Sequence, residues 1–157
     1  MTPRIIFRYS GVYDGHWKFV TENSLVRKRL QKAYPSSKKI LQYSRNIAKI
    51  WEKREKEYLQ TLSKIAGLKW KRKRIPCYVV GFCRPISDPL TIRPYKHHGD
   101  FIDTLIHELV HNLIAVDNNI KKCWKYLDKK YKKESKLTIN HIPLNAMLGL
   151  FYLQVFG

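Results

Sequence analysis

The chain has 157 residues, with 31 basic against 12 acidic side chains and a formal net charge of +19. That length suits a single domain able to bury a core, and 44% hydrophobic with 13% aromatic residues excludes a wholly disordered chain. Three cysteines, Cys77, Cys83 and Cys123, are too few for a disulfide framework, and they read as reduced thiols of an intracellular, cytoplasmic protein.

In chain order, residues 4–9 and 16–20 read as short strands around the turn signal Tyr13-Asp14-Gly15, with no apolar run of signal-peptide length. Residues 23–33 read as a short helix that stops before Pro35. Ser36 or Ser37 then caps a long helix over 38–66, in which Ile40, Ile47, Trp51, Tyr58, Leu62 and Ile65 recur at spacings of three, four and seven, and Gly67 ends it. The β-rich run 77–83 suits a central strand. Residues 89–95 form a further strand, which Pro94 confines to an edge.

Asp100 is a candidate N-cap for a helix over 101–116, with Asp103 in the capping-box position. Residues 119–133 predict a strongly basic helix. Thr138 or Asn140 starts a last one with Pro143 in its first turn. The apolar stretch 146–156 is about half the ~20 residues of a membrane span, so no transmembrane segment is expected and it reads as a buried helix end. The pattern predicts an α+β fold and one domain over 1–157, with 1–36 a candidate N-terminal extension to a core over 37–157.

The positive charge is concentrated. Residues 22–74 carry 17 basic and four acidic residues, a net +13, and residues 121–136 carry eight and two, a net +6. A field of this size attracts polyanions. Lys69, Trp70, Lys71, Arg72, Lys73 and Arg74 place an aromatic among cations, a composition that suits phosphate contact with base stacking. They are candidate contacts for nucleic acid or another acidic partner, against the simpler reading of a solvated lysine-rich surface.

Residues 107–111 read His-Glu-Leu-Val-His within a predicted amphipathic helix. Residues i and i+4 share a helix face, so His107 and His111 can reach one metal ion. Glu108 projects about 100° round the helix, beside the metal, where it can take a proton from a bound water. Ile102, Ile106, Leu109, Val110 and Leu113 leave the opposite side apolar. The competing reading is a buried histidine pair with a surface glutamate. A catalytic Zn²⁺, one per chain, needs a third ligand. His141, 30 residues after His111, is the first candidate and Glu134 the second; His97 and His98 precede the motif and suit the role less.

This pattern resembles the zincin metallopeptidases, in particular small single-domain gluzincins or SprT-type proteases. The likeness covers about residues 80–157 for the motifs and 38–157 for the layout of backing helix, small sheet with an exposed edge strand, HExxH helix and later helices. The metzincin continuation is absent from residues 112–117. The resemblance implies a zinc-dependent metalloendopeptidase in which Glu108 is the general base and passes its proton to the leaving amine. A protein or peptide substrate would lie along the 89–95 strand. Tyr95, His97, His98 and Tyr152 are candidates to stabilise the transition state, and Asp103, Asn112 or Asn140 to orient an imidazole. The alternative is a non-proteolytic zincin-like module that binds metal or nucleic acid.

Overall fold

The structure, a computed structural model, describes residues 1–23, 34–115 and 120–157. Its elements are β1 (Arg4–Arg8), α1 (Gly11–Glu22), α2 (Ser37–Glu52), α3 (Glu55–Ala66), β2 (Arg74–Val79), β3 (Ile86–Ser87), β4 (Leu90–Ile92), α4 (His98–Ala115), α5 (Lys121–Lys130) and α6 (Lys136–Phe156). The fold is α+β, as expected. The expected helix over 23–33 lies, beyond Asn23, outside the described residues.

The sheet runs β1-β2-β4-β3, with the first three strands parallel and β3 antiparallel on the edge. Register pairs Ile5 with Ile75, Phe7 with Cys77 and Val79 with Ile92, so these side chains share one face. That face meets the helical core, where Ile40, Trp51, Leu59, Phe101, Leu109 and Phe151 are buried. The opposite face carries Tyr78 and Thr91 and is covered by α1. Tyr13 lies 5.3 Å from the Tyr78 ring, and its hydroxyl is 3.0 Å from the Thr91 hydroxyl.

Several expectations are corrected. Residues 16–20 are helical, because the Ser10 side chain accepts the Tyr13 N–H and starts α1 before the supposed turn. Asp14, read as a turn residue, is buried inside that helix and accepts the Tyr9 hydroxyl at 3.1 Å, the Tyr34 hydroxyl at 2.5 Å and the Gly81 N–H at 2.8 Å. Residues 4–8 form a strand that pairs in parallel with β2.

The helix over 38–66 is two helices that break at Arg54, whose φ of −128° is not helical. The break aims Glu55 at its partners, since its carboxylate accepts the edge-strand N–H of Ile5 at 2.7 Å and the Trp51 indole N–H at 3.1 Å. Gly67 ends α3 in the left-handed conformation, φ 64°, as its position predicts.

The strand over 89–95 shrinks to β4, which lies inside the sheet. Pro94 falls past its end and constrains nothing, and the exposed edge is β3. Helix α4 starts at His98, so Asp100 sits in its first turn and Asp103 lies beyond capping reach. Ser135, not Thr138 or Asn140, caps α6, which leaves Pro143 in the helix interior. The 146–156 stretch is only half buried. Phe151 is enclosed, whereas Leu150, Leu153 and Phe156 are exposed, because α6 docks through a single stripe. Among the described residues no helix is long and apolar enough to cross a membrane.

Candidate metal centre

Helix α4 packs against β3 and β4, and α6 packs against α4 and α3. His107 and His111 stand one turn apart on α4, and His141 reaches them from the second turn of α6. Each offers a ring nitrogen, and the three atoms lie within 4.8 Å of one another. The ring centroids are 5.1 Å apart for His107 and His111, 5.5 Å for His107 and His141, and 5.1 Å for His111 and His141. His141 lies 30 residues after His111 and 34 after His107, and the fold brings it to them across the α4–α6 seam.

The donor chemistry suits a metal. His141 Nδ1 lies 2.8 Å from the Leu137 carbonyl, one turn back on its own helix. Donation from Nδ1–H there leaves Nε2 with a free lone pair, the usual way a ligating imidazole is oriented. Burial lowers the pKa of His107 and pushes that of His111 down to about 4, with the neighbouring imidazoles adding to both. His107 and His111 are therefore uncharged at neutral pH, the state a metal requires. Tetrahedral Zn²⁺ draws its nitrogens to roughly 3.3 Å apart, within reach by side-chain rotation from the spacing present. Three imidazoles with an adjacent carboxylate fit a zinc ion with one open position.

Glu108 is 8% exposed. Burial pushes its carboxyl up to about 7, and the field of His141 opposes the rise. Ile106, Leu109, Val110 and Leu113 are buried as expected, so the ligand face backs onto core. Asn112, beside His111, donates to the Ser87 carbonyl at 3.2 Å and so ties the motif helix to edge strand β3. Cys83 reports how near the β2–β3 loop lies: its thiol is pushed up to about 12 by burial, against Arg93, with Glu108 adding to the rise.

The other expected residues divide. Asp103, one turn before His107, accepts a very short hydrogen bond from the Tyr152 hydroxyl, and its charge acts on His107. Tyr152 stands three turns after His141 on the same side of α6, so the two helices run antiparallel with this pair as a second rung beside the histidines. Tyr95 is engaged elsewhere: its N–H donates to the Tyr43 hydroxyl at 3.2 Å, and the Arg93 guanidinium lies 5.1 Å from its ring. His97 and His98 are exposed, and His98 is about 13 Å along the helix from His107. Glu134 is exposed and does not belong to the cluster among the described residues, and Asn140 is exposed.

The nucleic-acid candidates fare worse. Trp70 is 5% exposed and its indole N–H donates to the Leu59 carbonyl at 2.9 Å, so it has no free face for a base. Arg72 is held in a bidentate pair with Asp88 at 3.1 and 3.2 Å. Lys69, Lys71, Lys73 and Arg74 are exposed. What the sequence reading missed is the buried Asp14 node, for which Ser10, a helix-capping residue four positions earlier, was the available signal.

No family model matches this chain, and no curated protein or solved structure matches it either.

Proposed function

We propose that the chain is a zinc-dependent metallopeptidase with a zincin-like catalytic core. The observation that carries this reading is the convergence of His107, His111 and His141 beside the buried carboxylate of Glu108. A structural metal site has no use for a titratable carboxylate at that point, whereas hydrolysis needs one.

The three imidazoles would hold the ion through their ring nitrogens. When bound, zinc supplies Lewis acidity that activates a water and polarises the scissile carbonyl. Glu108 accepts a proton at a carboxylate oxygen and delivers it to the leaving amine nitrogen. Its burial raises its basicity toward neutral pH, where a general base is most effective. Tyr152, whose hydroxyl donates to Asp103 one turn before His107, is the candidate donor to the developing oxyanion. The substrate strand would pair with β3, which has no outer sheet partner among the described residues and whose Ser87 is anchored to Asn112.

Elemental analysis of the protein purified without a histidine tag should give about one zinc per chain, and His141→Ala should lose most of it. Glu108→Gln should keep the zinc and lose casein cleavage by about 100-fold or more. An absence of zinc after reconstitution, or full activity in Glu108→Gln, would overturn the reading.

A further inference from the structure

Helix α5 attaches to the body by one narrow stripe. Leu127 is buried at 7% exposure, and Trp124 and Ile120, one and two turns earlier, pack partly against the core. At 100° per residue, the pole opposite this stripe carries Lys122, Lys125 and Lys129, with Tyr126 on its flank. All four are exposed, Tyr126 at 59%. Lys130 brackets the aromatic surface, its Nζ 5.5 Å from the rings of both Tyr126 and Tyr131.

The helix has a single acid, Asp128, and that acid is paired outward with Lys136 at 2.7 Å. Three arginines elsewhere have acidic partners: Arg4 pairs with Glu52 and Glu55, Arg54 with Glu57, and Arg72 with Asp88. On α5 the lysines stack at i, i+4 spacing as 121, 125 and 129, which costs helix stability. A face that keeps mutual repulsion and displays an aromatic among the cations matches a polyanion that also offers flat surfaces. Lys122 to Lys129 span about 10 Å of helix axis, long enough to meet more than one phosphate of a single strand.

We propose that the outer face of α5, formed by Lys122, Lys125, Tyr126, Lys129 and Lys130, binds single-stranded nucleic acid, with the lysines on successive phosphates and Tyr126 stacked on a base. This replaces the expectation placed on residues 69–74, whose tryptophan is enclosed. It does not depend on the metal centre, since no residue of the face belongs to the histidine cluster.

The test is fluorescence anisotropy with a labelled oligothymidylate of about 15 nucleotides, using the full chain at several salt concentrations with and without chelator. Binding should weaken linearly in log salt with a slope of about −2 to −3, as three or four neutralised phosphates require, and it should survive chelation. Neutralising Lys122, Lys125, Lys129 and Lys130 to Gln should weaken it at least about tenfold. The same number of neutralisations on α2 (Lys38, Lys39, Arg45 and Lys49 to Gln) should change it less than about threefold. Tyr126→Ala alone should weaken it about fivefold or more through lost stacking, with the salt slope unchanged.

Equal losses from the α5 and α2 variants would overturn the proposal, since they would indicate a diffuse field. So would unchanged affinity in Tyr126→Ala, or tighter binding to duplex DNA, polyglutamate or phosphatidylserine vesicles than to the single strand. The substituted side chains are exposed, and an unchanged melting profile checks that each variant folds.

Discussion

Glu108 is a carboxylate on the buried face of a core helix, and its environment disfavours charge. In the metal-free protein its pKa rises from 4.5 to about 7. The folded state therefore holds this proton more tightly than the unfolded chain does. The resulting stability is full below about pH 4.5 and is lost as pH rises through 7. His111 works in the opposite direction. Its folded pKa of about 4 means that stability falls as pH drops from 6.5 toward 4. Glu108→Gln removes only the first effect. The gain in melting temperature of Glu108→Gln over wild type should therefore be small at pH 5 and grow by pH 8. The scale is on the order of 1–3 kcal/mol, about 3–10 °C. Thermal melts of chelated protein at the two pH values decide this, and a difference that is flat with pH would contradict it. Gly81 offers a second prediction at this scale. A Cβ there would stand 2.4 Å from Tyr34 Cε1, and Tyr34 is pinned by its bond to buried Asp14. Gly81→Ala should cost about 1–3 kcal/mol. In a Tyr34→Ala background the same change should cost far less, because the obstructing ring is gone.

At the scale of elements, what could be read in the sequence was what local chemistry encodes. The HExxH helix announced itself through its spacing and apolar backing, and Gly67 through its place after the last periodic residue. His141 was reachable because a third ligand was chemically required and few candidates follow the motif. What failed depended on tertiary partners. Arg54 lies mid-pattern, yet the helix breaks there so that Glu55 can hold β1. Tyr13-Asp14-Gly15 has turn chemistry, but a capping serine upstream and a buried site for Asp14 made it helical. Trp70 lies among cations in sequence and inside the core in space. The start of α6 shows how one cap bears on the site. Ser135 accepts the Thr138 N–H at 3.1 Å and so fixes the turn preceding His141. Ser135→Ala should cost about 1 kcal/mol of stability and weaken zinc binding severalfold, while Ser135→Asp, an equally good cap, should restore both. Competition against a chromophoric chelator reads the affinity. Equal affinity in the alanine variant would mean that the packing of α6 alone positions His141.

For the whole molecule, an ion shared by the histidine cluster would cross-link α4 and α6 and close the stretch that contains α5. Helix α6 shows an exposed apolar face at Leu150 and Leu153, so its attachment rests on one packed stripe and on whatever the seam with α4 adds. A ligand bound only by the folded state stabilises it by mass action. The gain is about 2.7 kcal/mol at 100 times Kd, or ~5–11 °C for a chain of this size. Wild-type protein should thus melt higher with zinc than after chelation, and the shift should grow with free zinc. His141→Ala leaves both remaining imidazoles on α4, so bound metal no longer spans the seam, and most of the shift should vanish. Glu108→Gln should keep it in full, because that side chain is not a ligand. A wild-type melting temperature indifferent to zinc would show that the three imidazoles do not share an ion. A shift retained in His141→Ala would show that α4 binds the metal without α6. In that case the ion does not bridge the seam, and the three-histidine site on which the peptidase reading rests loses its basis.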